Sequence, residues 1–247
     1  MCLRYKTFFF LNFVTCLCIV ILLCTSIGTP HWIEAESKRN SSLGGGVSNV
    51  ISTNDDEPGP NRGFIHFGVV RGCKIFNYGF GARDYKCFKV SEEHADLYPT
   101  GLLIVVIVFM VIAAIFAMVA TIFGMVNAIT RPIEAIHGPK GLFLWNGFGA
   151  IFSGISLFMY VGLYYTTFEG KEVLNAEDTS QPNYFTTDSA NYGYSFWLLV
   201  TTFGLFCVNL ILLIIAHKMN DPNFRWRRRA QEISTIQTTE LAQSIMY

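Results

Sequence analysis

Four stretches of the chain, residues 8–28, 101–129, 141–163 and 195–216, contain no Asp, Glu, Lys or Arg, although 15% of the whole sequence is charged. A hydrocarbon core about 30 Å thick takes about 20 helical residues to cross, and a charge at its centre costs about 2.5 to 3.5 kcal/mol. All four stretches meet both demands, so they read as transmembrane helices. Soluble cores rarely supply so many uncharged segments of this length. The chain is 51% hydrophobic with a formal net charge of +0. That balance offers no broad positive surface, so no nucleic-acid partner is expected.

The first stretch has a second reading. Arg4 and Lys6 precede it and Thr25, Ser26 and Gly28 close it, as in a signal peptide. Its apolar run exceeds the usual core of about 7 to 15 residues and no A-x-A pattern follows, so a retained helix is expected. Orientation comes from the connecting segments. Arg4, Lys6, Arg131, Lys140, Lys218, Arg225, Arg227, Arg228 and Arg229 fall on one side, offset there by Glu134, Asp221, Glu232 and Glu240. The positive-inside bias makes 1–7, 130–140 and 217–247 cytosolic and leaves 29–100 and 164–194 outside the cell.

The outer segment 29–100 changes character along its length. Residues 41–46 and 55–60 are polar or glycine-rich, whereas 63–76 and 85–90 are rich in residues that suit a pleated surface and read as two strands, with a turn across 77–83. Cys73 and Cys87 lie one in each strand and are the only cysteines outside the membrane blocks on this side. An oxidising compartment joins them, and closing a loop of about 15 residues contributes about 3 kcal/mol. Asn40, Ser41 and Ser42 form an N-x-S acceptor for a glycan. The second outer segment sets Glu169, Glu172, Glu177, Asp178 and Asp188 against Lys171 and reads as a solvated acidic surface.

Reaction chemistry has no signature here. The histidines at 31, 66, 94, 137 and 217 show no metal-ligand spacing. Phosphate loops, nucleophile elbows and H-E-x-x-H runs are missing, so no catalytic residue, cofactor or metal is expected. Inside the blocks the reading singles out Asn12, Asn127 and Asn209 among scattered Ser and Thr. Ion pathways and proton relays are marked by intramembrane ionisable groups, and their lack points to a closed bundle. Ala113 with Ala117, Ala120 with Gly124 and Ala150 with Gly154 have the small-x-x-x-small spacing that lets helix backbones approach.

After the last block come Arg225, Arg227, Arg228 and Arg229, interleaved with Trp226. Each Arg beside an anionic leaflet is worth about 1 kcal/mol, so this cluster is expected to hold the start of the tail on anionic lipid. The chain ends in Ser244, Ile245, Met246 and Tyr247, which fits the hydrophobic class of PDZ ligand.

Several short runs together resemble the clarins, a family distantly related to the claudin and tetraspan-like superfamily. They are Gly28-Thr29-Pro30-His31-Trp32-Ile33, Phe67-Gly68-Val69-Val70-Arg71-Gly72, Gly79-Phe80-Gly81-Ala82-Arg83, His137-Gly138-Pro139-Lys140-Gly141, Trp145-Asn146-Gly147-Phe148-Gly149-Ala150, Tyr192-Gly193-Tyr194-Ser195-Phe196-Trp197 and Met246-Tyr247. The Trp-Asn and Tyr-Ser-Phe-Trp runs are most similar to clarins of the third type. The resemblance implies an all-α membrane fold: a left-handed bundle of four transmembrane helices with a small extracellular antiparallel β-sheet, claudin-like, in a multi-pass protein of the plasma membrane. It also implies non-enzymatic work organising membrane protein complexes through helix faces and outer loops, with links to actin, synapses or sensory cells. Trp32, Cys73 and Cys87 match a claudin signature, but Gly68-Val69-Val70 lacks its second tryptophan, which argues against barrier sealing. A junctional adhesion protein and a channel or transporter subunit are the alternatives.

Overall fold

The computed structural model describes residues 2–39, 58, 61–77, 85–90, 99–129, 139–174 and 185–220. Along the chain it places α1 (Cys2–Gly28), β1 (Ile33–Arg39), β2 (Arg62–Phe67), β3 (Arg71–Phe76), β4 (Lys86–Lys89), α2 (Thr100–Ile129), α3 (Pro139–Thr167), β5 (Phe185–Tyr192) and α4 (Tyr194–Asn220). Lys6–Gly28, Thr100–Ile129, Lys140–Thr167 and Tyr194–Lys218 are each long and apolar enough to cross a membrane. The protein is a multi-pass membrane protein with a claudin-like four-helix fold.

α1 packs between α2 and α4, and α3 fills the opposite corner between the same two helices. This is an up-and-down ring. Each helix turns a narrow stripe to the interior. α1 buries Phe9, Asn12, Cys16, Ile19, Leu23 and Ser26, while α2 buries Leu103, Val106, Met110, Ala113, Ala117, Ala120, Gly124 and Asn127. α3 follows with Leu142, Asn146, Gly149, Ser153, Ser156, Tyr160 and Leu163, and α4 with Ser195, Leu199, Thr202, Phe206, Asn209, Leu213 and Ala216. In all four the steps alternate between three and four residues. That is the about 3.5-residue repeat of left-handed supercoiled helices.

Lipid is as apolar as leucine, so helices in a bilayer associate by close packing and interhelical hydrogen bonds. The stripes show both. A side chain at Gly124 would meet Phe13 Cα of α1 at 3.3 Å, and one at Gly154 would meet the Phe203 ring of α4 at 3.1 Å. Gly149 lies under the Phe206 ring with no room for a Cβ. The small-residue pairs noted in the sequence therefore serve contacts inside this chain.

At one end of the bundle the two longer connecting segments meet in a single antiparallel sheet of five strands, ordered β4-β3-β2-β1-β5. The expected strand 63–76 is two strands. Gly68 N donates to Arg71 O at 2.8 Å and turns the chain there, and Gly68 sits so close to Pro30 Cα, at 2.7 Å for an added Cβ, that only glycine fits. The expected strand 85–90 is the short β4. Of the expected turn 77–83, Asn77 pairs its N–H with Arg62 O at 2.8 Å, and the rest lies outside the described residues. Neither β1 nor β5 is evident in the sequence. β5 extends the sheet with 185–192, so part of the segment read as a solvated acidic surface is a paired strand. Glu172 of that segment accepts from the N–H and the hydroxyl of Thr187 at 3.0 and 3.1 Å.

Replacing Gly149 by Val forces the Phe206 ring away from α3 and is expected to cost about 1 to 3 kcal/mol. Gly147, which has open space around its Cα, is the matched control. Thermal unfolding in mild detergent should place Gly149→Val well below the native protein and Gly147→Val close to it.

Candidate functional site

Three of the runs singled out in the sequence converge where the sheet sits on the bundle. The first is the linker 29–32 between α1 and β1, the second the turn between β2 and β3, and the third the junction of β5 with α4. Their backbones are bonded together. Trp32 N donates to Phe67 O at 2.8 Å, Gly193 N to Trp32 O at 2.9 Å and Ser195 N to His31 O at 2.9 Å. An added Cβ on Gly193 would run into His31 O, so that close approach also requires glycine. Hydroxyls complete the joint: Ser26 Oγ donates to Ser195 O at 2.8 Å, and Thr29 Oγ1 and Ser195 Oγ are 2.7 Å apart. The outer ends of α1 and α4 are thereby tied to each other and to the sheet.

Trp32 is the pivot. It is fully buried, its ring lies 4.5 Å from that of Tyr160 in α3, and its indole N–H donates to Ser26 O at 2.7 Å. That carbonyl belongs to the last turn of α1, where acceptors lack partners within the helix. Around it an aromatic layer runs from helix to sheet. Tyr164 stacks on Tyr192 at 3.9 Å and Tyr192 on Phe196 at 4.2 Å, and Tyr164 Oη donates to Ala190 O at 2.7 Å. Burial pushes the Tyr192 phenol up to about 12, with Tyr165, Tyr164 and Glu169 acting in the same direction, so it stays neutral at physiological pH.

The inner face of the sheet stacks Ile33, Ala35 and Ser37 of β1 against Phe67, Ile65 and Gly63 of β2. On the outer face the ladder sets Glu34 opposite His66 and His66 opposite Cys73, which in turn faces Cys87. Cys73 and Cys87 form the disulfide anticipated from the sequence. His31 reaches the same face, with Nδ1 3.2 Å from Glu34 Oε1 and its ring 4.5 Å from that of His66. Burial lowers the His66 imidazole below the ordinary histidine value; His31 adds to this and Glu34 opposes it. The chain separation of His31 and His66 hid this meeting, which the β1–β2 register and the linker 29–32 create together.

Deeper in the bundle a second cluster joins three helices. Asn209 Nδ2 of α4 lies 3.2 Å from both Asn146 Oδ1 of α3 and Cys16 Sγ of α1, while Cys16 Sγ donates to Asn146 Oδ1 at 3.3 Å. Thr15 donates to Asn209 Oδ1. Asn12, adjacent in α1, leaves Nδ2 without a partner among the described residues. Ten residues further along α3, Ser156 Oγ donates to Val106 O at 3.1 Å and makes a separate tie to α2. Asn146, Cys16 and Thr15 are members the sequence reading did not single out as inner polar residues, and Asn146 is the one at the centre. Its place in the Trp145–Ala150 run, beside Gly149, is the signal that could have found it. Of the remaining expected sites, Asn40, Arg225, Arg227, Arg228, Arg229 and Ser244 to Tyr247 lie outside the described residues.

A family model described as Clarin-2-like matches residues 4–213. The chain belongs to the clarin family. Human Clarin-3 is 28% identical over 230 residues, 92% of this chain and 94% of its own length. Mouse Clarin-2 is 24% identical over 198 residues, 79% of this chain and 81% of its own, and human Clarin-1 24% identical over 193 residues, 78% and 79% respectively. The family-model match spans all three sequence segments that build the joint of this clarin-family chain.

Removing the pivot tests the joint. Trp32→Ala is expected to cost about 3 to 5 kcal/mol from the lost packing. Trp32→Phe, which keeps the ring and deletes the donor to Ser26 O, is expected to cost about 1 to 3 kcal/mol. Thermal melts in detergent, followed by protease cleavage within the sheet, should rank the variants in that order.

Proposed function

We propose that this chain is a non-enzymatic scaffold or auxiliary subunit of the plasma membrane, which displays a rigid five-stranded platform outside the cell and recruits other membrane proteins to its helix faces and outer loops. The observation that carries the reading is the joint at Trp32, Gly193 and Ser195. Because the sheet is hydrogen-bonded to the outer ends of α1 and α4, force or contact at the sheet is shared with the bundle rather than lost in a flexible tether. The disulfide supports an outer location for the sheet, since such bonds persist in oxidising compartments. The membrane-facing positions support lateral association: Phe143, Leu144, Phe148, Ile151 and Phe158 form an exposed apolar face on α3.

In this reading the basic cluster Arg225 to Arg229 holds the tail on anionic lipid and Ser244 to Tyr247 engage a cytosolic PDZ adaptor. Channel or transporter work is disfavoured by the filled interior. Phe206, Met110 and Leu142 are fully buried there, Asn146 and Asn209 bond to each other, and no acidic or basic residue occurs in 8–28, 101–129, 141–163 or 195–216. Adhesion between cells would require sheet contact across the intercellular space, and a cell-mixing assay separates it from lateral assembly.

Native-cell membranes solubilised in mild detergent should yield a stable complex of this chain with at least one other membrane protein, retained when the last four residues are deleted and weakened by bulky polar substitution on the exposed α3 face, such as Ile151→Gln. Recovery of the chain alone under conditions that preserve known membrane complexes would refute the scaffold reading.

A further inference from the structure

His31, Glu34 and His66 bring one ligating atom each to within 4.8 Å of one another, and they form the group of this kind among the described residues. From this geometry we infer that the outer face of the joint holds a zinc-class divalent transition-metal ion, with His31, Glu34 and His66 as its protein ligands.

The donor set decides the class of ion. Two imidazoles and a carboxylate suit zinc and its neighbours, whereas calcium and magnesium take oxygen ligands. A tetrahedral zinc with bonds of about 2.0 to 2.1 Å holds neighbouring ligand atoms about 3.4 Å apart. His31 Nδ1 and Glu34 Oε1 already stand at 3.2 Å, so closing the set takes a modest swing of the His66 ring. Three protein ligands leave the fourth position to water, and the site opens outward: the side chains of His31 and Glu34 are 26% and 45% exposed.

A further observation points to a ligand. His66 Nδ1 is closed off from solvent and has no hydrogen-bond partner, an unusual state for a buried polar atom and one that an electrophilic ion relieves. The backbone holds all three residues before any ion arrives. Glu34 and His66 are direct cross-strand partners, the carbonyl of His31 is bonded to Ser195 N, and the His31 ring stacks on Tyr194 at 4.8 Å. A bound ion would clamp the linker after α1 to β2 and, through Tyr194, to the start of α4. The disulfide beside His66 cannot compete, because its sulfurs are bonded to each other.

The test is equilibrium dialysis of the full chain, purified in mild detergent without a polyhistidine tag, against zinc chloride and separately against calcium chloride, with metal content read by mass spectrometry. One zinc per chain and no calcium is expected, together with a zinc-dependent rise in thermal midpoint. Glu34→Gln and His66→Gln should each weaken zinc binding by at least about tenfold and abolish the thermal shift. Glu34 projects into solvent, and its variant keeps the strand pairing intact; an unchanged helical circular dichroism spectrum and retention of the Cys73–Cys87 bond establish that both variants fold. Substoichiometric zinc, equal uptake of zinc and calcium, or native-like zinc affinity in both folded variants would overturn the assignment.

Discussion

β5 runs into α4 through Gly193 alone, and β1 follows α1 after only residues 29–32, so the pairing of β1 with β5 dictates where the outer ends of two helices stand. Most of the structure depends on that constraint. The ladder from Ile33 opposite Tyr192 to Arg39 opposite Phe185 makes one sheet of two segments far apart in the chain. The bonds from Gly193 and Ser195 to Trp32 and His31 extend the same pairing into the helices. Loop-closure entropy grows slowly with loop length, so joining two distant segments is feasible once many bonds form together. A glycine at 193 is needed because the strand-to-helix turn presses against the His31 carbonyl.

Within the membrane the organising force is different. Apolar area cannot favour one helix face over another when the solvent is itself hydrocarbon. What distinguishes the interior is small and polar residues: Ala113, Ala117, Ala120 and Gly124 on α2, and Asn12, Asn146 and Asn209 across three helices. Large apolar side chains such as Ile122, Phe158 and Ile211 turn outward. Interhelical hydrogen bonds of this kind contribute only about 0.6 to 2 kcal/mol each, but an asparagine amide displaced into lipid would have nothing to bond, so the cluster specifies which faces meet.

These two organising principles explain what was legible in the sequence. The four spans were plain because an absence of charge over about 20 residues has one common physical cause. The strands carrying Cys73 and Cys87 were legible from their apolar, β-prone residues, and the disulfide from their isolation on one side. The break at Gly68 was not, since an added Cβ is excluded there by contact with Pro30, which belongs to another segment. β1 reads Ile-Glu-Ala-Glu-Ser-Lys-Arg and β5 Phe-Thr-Thr-Asp-Ser-Ala-Asn-Tyr. β1 has only Ile33 among residues that favour strands, and in β5 such residues are interrupted by the run Asp188 to Asn191, so each becomes a strand through the partner that the helices deliver. The site at His31, Glu34 and His66 was hidden for the same reason: it exists in the register and not in the spacing. Handedness had its cue in the steps of three and four between small and polar residues, which hydropathy alone masks.

The sheet and the bundle form a single body, and one measurement addresses that directly. Glu36 and Ser189 are cross-strand partners on the exposed face of β1 and β5, at a separation a disulfide can span. A Glu36→Cys, Ser189→Cys double variant, oxidised mildly in membranes and read by mass spectrometry of the linked peptides, should form that bond in high yield, and the offset pair Glu36→Cys, Asn191→Cys should not. Failure of the in-register pair to form the bond, or equal bonding by the two pairs, would mean that the second outer segment does not join the sheet.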